Sequence, residues 1–311
     1  RLGLSGNGLL RVDGKDFKGA IPTLGKDIFV DSVTGADTSD GLTPDRALAT
    51  LDAAFAQTVA DKGYQIFVLP KHAETITGAA GIAHDVAGVS VIGLGHGGQR
   101  PTFLMDAADT VTYKITAKDA YVSNLLFNSG HSDVVTCIDV QIATDAWIDG
   151  CQFANNTTNE NFVTCIKSGT TTDNQCDGLK ITGCLWMQVD AGSLEFIEIL
   201  GDLDHLTVTG NIIQHEGTGL AVLVVVTDGD DIQYATIADN IHRSKDAAGA
   251  VGILQSNQTD NTGILARNLS ACLDTADERI ATGENTGLYY YENFTSSDVV
   301  KRGYILPARD A

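Results

Sequence analysis

A six-residue pattern recurs six times through the middle of the sequence. Each copy has an aliphatic residue first, one of Gly, Asn, Asp or Arg third, and one of Asn, Cys or Leu fourth. The copies begin at residues 122, 148, 181, 208, 237 and 265, so the steps between them are 26, 33, 27, 29 and 28 residues. This period is typical of solenoids, in which one coil cannot bury its inward face and successive coils must stack.

Each copy is typical of a short strand, a bend and a second short strand. Strands of stacked coils pair about 4.8 Å apart, so equivalent residues form columns. The fourth position predicts a column in which stacked amides bond one another and the backbone: Leu125, Cys151, Cys184, Asn211, Asn240 and Asn268. The segment VTCI at 163–166 repeats VTCI at 135–138 and predicts a second column. We therefore predict an all-β chain, a single right-handed parallel β-helix with coils of about 27 residues.

Two other folds compete for this period and composition. Leucine-rich repeats would show a LxxLxLxxN spacing, which none of these coils has. A β-sandwich would show turn signals every 8–12 residues without a long-period column. Both are therefore disfavoured.

Charge and cysteine content exclude several classes of protein. Lys and Arg total 20 against 40 Asp and Glu, a net charge of −20, which repels nucleic acids and anionic membranes.

The six cysteines lie mostly in apolar segments, so we expect buried, reduced thiols rather than disulfides. Residues 1–14 lack the apolar stretch and cleavage site of a signal peptide.

The repeat is flanked by two different ends. We expect an N-terminal arm over 1–26, the β-helix over 27–270, and a C-terminal cap or contact tail over 271–311. A helix is predicted over 44–60, with Thr43 as its N-cap and Pro44 at its first position. Leu48, Leu51, Ala54 and Phe55 share one face, which would cover the open end of the solenoid.

The stretch DSVTGADTSDGLTPDRALATL at 31–51 resembles the first segment of pectate-lyase-like right-handed β-helices. In that superfamily a strand and an Asp/Gly/Asn turn lead into Gly-Leu-(Thr/Ser)-Pro and a capping helix. The resemblance covers residues 27–270. It implies the fold but not the activity, because the superfamily includes lyases, hydrolases, epimerases and non-enzymatic proteins of phage particles.

The chain closes with an aromatic-rich strand and the tail GYILPARDA at 303–311. This tail resembles those of phage structural proteins, and tyrosine is enriched at protein interfaces. We expect a contact surface or a cap on the last coil, formed by Tyr289, Tyr290, Tyr291, Phe294, Tyr304, Ile305, Leu306 and Pro307.

Three groups of residues could carry chemistry, each with an ordinary structural explanation beside it. Gly95-His96-Gly97 matches a polygalacturonase motif but lacks the preceding acidic pair and the following Arg-x-Lys, so a turn is favoured. The aspartates 31, 37 and 40 resemble a calcium loop in composition but not in spacing, which favours Asx-turns. Asp202 and Asp231 each lie six residues before a repeat copy and could form a glycosidase pair or hold a metal, although turn carboxylates are the simpler explanation.

The residues contain no complete catalytic constellation, so we predict neither a cofactor nor a metal. The expected function is a non-enzymatic phage virion structural protein. We favour a head decoration or cement protein, a homotrimer on the outer surface of the capsid that binds the major capsid protein and neither nucleic acid nor membrane. The alternatives are a tailspike or tail-fibre polysaccharide depolymerase, which would bind a glycan, and a secreted polysaccharide lyase.

Overall fold

A computed structural model of the protein has three parallel sheets that wind into a right-handed parallel β-helix, which confirms the predicted fold class. The structure describes residues 25–78, 81–155, 160–170, 172–188, 195–215, 222–227, 229–244, 252–256, 258, 260–272, 280–282 and 287–297, and the backbone of four short terminal strands. From Gln65–Val68 to Ala281–Thr282, each coil adds a strand to sheet 1, then to sheet 2, then to sheet 3.

The three sheets run the length of the solenoid. Sheet 1 contains Asp27–Val30, Gln65–Val68, Ser90–Gly93, Tyr121–Ser123, Trp147–Asp149, Lys180–Thr182, Thr207–Thr209, Ala235–Ala238, Thr262–Ala266 and Gly287–Tyr291. Sheet 2 contains Ala73–Ile76, Thr102–Met105, Leu126–Ser129, Gln152–Asn155, Leu185–Gln188, Ile212–His215, Ile241–Ser244, Leu269–Cys272 and Phe294–Ser297, with Tyr304–Ile305 added antiparallel. Sheet 3 contains Ile82–His84, Tyr113–Ile115, Val134–Val140, Phe162–Ser168, Glu195–Ile199, Val222–Val226, Leu254–Gln255 and Ala281–Thr282.

Two smaller sheets complete the strand inventory. Leu203–Asp204 pairs in parallel with Ile232–Gln233, between sheets 3 and 1 along the chain. In the expected N-terminal arm, three strands pair antiparallel: Leu2–Leu4, Leu10–Val12 and Lys15–Asp16.

The bend between sheets 1 and 2 explains the third position of the repeat. Its residue has a positive φ in every coil from Asn124 onward, with φ between 52° and 68°. The residues are Asn124, Gly150, Gly183, Gly210, Asp239, Arg267 and Glu292. Glycine, asparagine and aspartate tolerate this left-handed conformation best, so the period of the sequence is the period of the bend.

The predicted amide column is present and fully buried. The Asn211 backbone N–H donates to Asn240 Oδ1 at 2.9 Å, and the Asn240 N–H donates to Asn268 Oδ1 at 3.0 Å. Each Nδ2 also donates to a backbone carbonyl one coil back, as Asn240 Nδ2 does to Val208 O at 2.9 Å. The amides therefore satisfy backbone groups that the sharp bend leaves outside the ladders.

Aromatic and thiol side chains fill the inside. Phe103, Phe127, Phe153 and Trp186 occupy equivalent inward positions of sheet 2 in successive coils, with 5.7 Å between the rings of Phe127 and Phe153. Five cysteines are buried free thiols, which confirms the expected reduced state for Cys137, Cys151, Cys165, Cys176 and Cys184. The side chain of Cys272 lies outside the described residues.

The predicted helix over 44–60 is wrong in extent. Pro44–Arg46 forms a single 3₁₀ turn after Thr43, and the α-helix covers only Leu51–Phe55, with Thr50 as the N-cap whose hydroxyl accepts from Ala53 N at 3.3 Å. Between them the Leu48 N–H donates to Phe29 O at 2.9 Å, so this segment pairs with the first strand instead of continuing a helix.

The short helix still caps the solenoid. The predicted inward residues Leu48, Leu51, Ala54 and Phe55 are all buried. The Phe55 ring lies 4.7 Å from that of His84 in the first strand of sheet 3. The helix thus covers the end at which sheet 3 begins, which protects the first unpaired layer.

The β-helix also extends past its expected end at residue 270. Gly287–Tyr291 and Phe294–Ser297 pair in parallel with Thr262–Ala266 and Leu269–Cys272. Asn293 continues the amide column, because its Oδ1 accepts from Asn268 N at 3.0 Å. The aromatic segment is therefore another coil, in which Glu292 replaces the usual bend residue.

Candidate functional site

The predicted carboxylate pair lies on adjacent coils, and the carboxylate of Asp202 already accepts a backbone hydrogen bond from Asp231. The Asp231 N–H donates to Asp202 Oδ1 at 2.9 Å, and the Asp202 N–H donates to Asp173 Oδ1 at 3.3 Å. Burial, and then the charge of Asp202, raise the pKa of Asp231. This pattern is that of turn carboxylates that join one coil to the next.

The same turns bring three carboxylates close enough to share a cation. Single oxygens of Asp173, Asp202 and Asp230 all lie within 4.8 Å of one another. Oxygen ligands of this kind suit a hard cation such as Ca²⁺. Two of these three carboxylates also accept backbone hydrogen bonds, so the cluster has a structural role in the turns whatever it binds.

The other two predicted groups lie in separate turns. Gly95-His96-Gly97 is an exposed turn, whose carbonyls at 93 and 95 accept from Asn124 Nδ2 at 2.7 and 2.8 Å. Asp31 accepts from Val33 N, whereas Asp37 accepts from the backbone N–H groups of residues 49 and 50. Asp40 pairs with Arg46. The bonds of Asp31 and of Asp40, which accepts from Leu42 N, are those of Asx-turns, as predicted. Asp37 instead joins segments that lie 12 residues apart, so the Asx-turn prediction is wrong for this residue.

A group of polar residues that the sequence analysis missed lies in neighbouring strands of sheet 3. The register pairs Thr164 with Glu195 and Lys167 with both Asp139 and Glu198. Thr164 Oγ1 donates to Glu195 Oε1 at 2.6 Å, and Lys167 Nζ lies 4.0 Å from Asp139 Oδ1. We call Asp139, Thr164, Lys167, Glu195 and Glu198 the sheet 3 cluster.

Burial perturbs two acids of the sheet 3 cluster. It raises the pKa of Glu195 to about 7, although the hydrogen bond from Thr164 opposes the shift. It also raises the pKa of Glu198, against the opposing charge of Lys167. A carboxyl that titrates near neutral pH can act as a general acid or base. Aligning TCIK at 164–167 with EFIE at 195–198, which lies 31 residues later, would have placed these residues together.

The C-terminal contact candidates are partly exposed. Tyr289 is 76% exposed, Tyr291 and Phe294 are also exposed, and Tyr290 packs partly against the core. Arg267 links this coil to the previous one, since its guanidinium donates to both oxygens of Asp239 and to Tyr291 Oη. Tyr304–Ile305 pairs antiparallel with the last sheet 2 strand, whereas Leu306 and Pro307 lie outside the described residues.

The outer side of sheet 2 carries two columns of side chains in register, which we call the sheet 2 face. The first column is Ala73, Thr102, Leu126, Gln152, Leu185, Ile212, Ile241, Leu269 and Phe294. The second is Thr75, Leu104, Asn128, Ala154, Met187, Gln214, Arg243 and Ala271. Neither column contains an aspartate or a glutamate at these described positions.

Comparison with known proteins supports the fold of this chain but does not identify its function. No family model and no curated protein matches the sequence. A solved structure named rhamnogalacturonan lyase matches with a TM-score of 0.53 at 10% identity, covering 86% of this chain and 87% of that one. Among the described residues, no helix has the length and apolarity to cross a bilayer. The protein thus has the β-helix fold that the pectate-lyase-like resemblance implied.

Proposed function

We propose that the protein is a structural component of a phage particle, a head decoration protein that attaches to the major capsid protein through its C-terminal coil. The observation that carries the proposal is the exposure of aromatic side chains in that coil. Earlier coils expose at most one large aromatic side chain each among the described residues, such as Trp147 and Tyr234, whereas Tyr289, Tyr291 and Phe294 are exposed together in this coil. Exposed aromatic residues beside an arginine are typical of binding surfaces.

The rest of the chain suits an outer-surface role. The sheets stack continuously from Asp27 to Ser297, so the solenoid has one uninterrupted core that joins its two ends. A net charge of −20 keeps such a rod soluble and opposes its adhesion to nucleic acid. The protein would therefore project from the capsid as a stiff acidic element.

The test is location in intact particles. Cryo-EM of particles assembled from the genome that encodes the chain is expected to show β-helix density on the capsid exterior, at a fixed ratio to capsid subunits. Particles that lack the protein, or that carry only a few copies at the tail, would refute this role.

A matched pair of variants tests the contact coil. Tyr289→Asn removes the most exposed aromatic of that coil and is expected to reduce incorporation at least tenfold, as loss of an interface anchor does. Tyr234→Asn removes another tyrosine, 62% exposed in an earlier coil, and is expected to leave incorporation unchanged. Equal incorporation of the two variants would contradict attachment through the C-terminal coil.

The sheet 3 cluster supports a second candidate, cleavage of a polysaccharide. Its Glu195 has a pKa raised to about 7 by burial, which suits a general acid. Glu198 follows three residues later on the same strand and pairs in register with Lys167. The fold similarity to a rhamnogalacturonan lyase is consistent with this role.

This candidate is tested by incubating the protein with rhamnogalacturonan, pectin and bacterial capsule. New reducing ends or unsaturated products that disappear in Glu195→Gln but persist in Glu292→Gln, an exposed control, would establish the enzyme and refute the purely structural role. No product from any of these substrates would count against cleavage.

A further inference from the structure

We propose that copies of this chain associate with one another through the sheet 2 face. The inference rests on the composition and register of that face and does not depend on the proposed role in a phage particle. The C-terminal coil and the sheet 2 face are different surfaces, which share only Phe294.

The sheet 2 face is apolar where it is most open to solvent. Ile212 and Ile241 are 45% and 41% exposed and lie directly opposite each other in the register. Leu185 precedes them in the same column, Leu269 and Phe294 follow, and Met187 lies beside them in the second column. Large aliphatic side chains stacked over successive coils form one continuous patch, which is uncommon on the surface of a monomer.

The absence of carboxylates from this face indicates which partner it fits. Acidic residues make up 40 of the 311, so an even spread over all sites, buried or exposed, would place about two among the seventeen positions of the face. The outer sides of the other two sheets do carry them, as Asp149 in sheet 1 and Asp139 and Glu198 in sheet 3 show. A basic partner would be attracted by carboxylates, so their exclusion favours a partner that is itself acidic.

A second copy of this chain meets that requirement. Two chains of charge −20 repel each other wherever carboxylates of one copy face carboxylates of the other. The sheet 2 face has no carboxylates at its described positions, so two copies can associate through it without bringing like charges together. Arg243 is the one charged residue among the described positions of the face, and a cation does not repel an acidic copy. The side chains also repeat at the strand spacing of about 4.8 Å, so the ridges of one copy match the grooves of another.

The size of the face is adequate for weak to moderate association. The eight strands from Thr102–Met105 to Phe294–Ser297 span about 34 Å along the axis at that spacing, and four residues span about 13 Å across. The projected area is then roughly 450 Å² per copy, about half of the 800 Å² per partner of a standard interface. Association is therefore expected to depend on protein concentration in the micromolar range.

The test is the molar mass in solution of the full chain, measured by sedimentation velocity across a range of concentrations. The unaltered protein is expected to shift from 32.8 kDa towards an integral multiple of that mass as concentration rises. A chain that stays monomeric to about 100 µM would overturn the proposal, because an apolar interface of this size supports tighter binding. In that case the face either binds a different protein or binds none.

Charge variants show whether the association uses this face. Ile212→Glu with Ile241→Glu is expected to weaken association at least a hundredfold, since each buried unpaired charge costs at least about tenfold. Thr207→Glu with Thr236→Glu places the same charges on the outer side of sheet 1 in the same two coils and is expected to leave the mass unchanged. Equal effects of the two pairs would refute the assignment.

Mixing two oppositely charged variants tests whether a loss of association reflects misfolding. The double glutamate variant is expected to form mixed assemblies with a second variant, Ile212→Lys with Ile241→Lys, because opposite charges then meet across the interface. Two variants that are each monomeric but associate when mixed must both be folded. If both variants associate alone as strongly as the unaltered chain while they retain its circular dichroism and melting, the interface lies elsewhere.

Discussion

Replacing Glu195 by glutamine is expected to make the protein more stable at alkaline pH but not at acidic pH. Burial raises the pKa of this carboxyl from 4.5 to about 7, so folding disfavours its charged form. Well below pH 4.5 the carboxyl is protonated in both the folded and the unfolded chain, so it does not reduce the free energy of unfolding. As pH rises from 4.5 to 7 the unfolded chain releases the proton first, and the folded state loses stability.

The magnitude follows from the size of the shift. Each pKa unit corresponds to about 1.4 kcal/mol, so the full penalty approaches about 3.4 kcal/mol well above pH 7. Between pH 5 and pH 8 the change is about 2.5 kcal/mol. Glutamine keeps an amide oxygen to accept the 2.6 Å hydrogen bond from Thr164 Oγ1, so the substitution removes the charge with little change in packing.

The assay is urea unfolding of the two proteins at pH 5, 6, 7 and 8. The free energy of unfolding of Glu195→Gln relative to the unaltered chain is expected to rise by about 2.5 kcal/mol across this range. Glu292→Gln, in the exposed bend of the last coil, is the control and is expected to show a much smaller change. A difference between Glu195→Gln and the unaltered chain that is the same at pH 5 and pH 8 would refute the argument that burial controls this carboxyl.

Three further predictions concern the core and the bends. Asn240→Ala is expected to lower the free energy of unfolding by about 3 kcal/mol, measured by urea unfolding, because the Asn211 backbone N–H and Val208 carbonyl lose their partner in a fully buried site. A loss below about 1 kcal/mol would contradict the amide column. Phe153→Ala removes a ring that stacks on Phe127 and contacts Phe196 edge-on, and is expected to lower the same free energy by about 4 kcal/mol. An unchanged melting curve would show that the ring lies outside the core. Burial raises the pKa of the five described thiols, to about 12 for Cys151. A thiol reagent is therefore expected to leave all five unmodified until denaturant is added. Rapid labelling of any of them in the native protein would contradict the inward placement of Cys137, Cys151, Cys165, Cys176 and Cys184.

The sequence by itself determined the features that repeat with the coil. The bend residues from Asn124 to Arg267 and the amides from Asn211 to Asn268 recur at one period because every coil must make the same left-handed turn and satisfy the same backbone groups. The same regularity predicted buried thiols and the fold that the comparison supports. Such requirements arise within each coil, so the same residue types recur at the same position of successive coils.

The ends of the solenoid depended on tertiary contacts. The pattern of Leu48, Leu51, Ala54 and Phe55 predicts one long helix, but Leu48 instead bonds to the first strand and limits the helix to five residues. The last coil has Glu292 at its bend, where the recognised copies have Gly, Asn, Asp or Arg, so the pattern missed a coil that is evident from the pairing with residues 262–266. In both places hydrogen bonds to a neighbouring strand outweigh local propensity.

The candidate surfaces were decided by the tertiary structure alone. The sheet 3 cluster joins residues 139, 167 and 198, and the sheet 2 face joins Ile212 to Ile241. These residues lie about 30 positions apart and become neighbours only through the stacking register, and outward positions need not repeat because nothing inside the coil constrains them. The sequence therefore determines the solenoid, whereas the register of its coils determines which side chains meet on the outside.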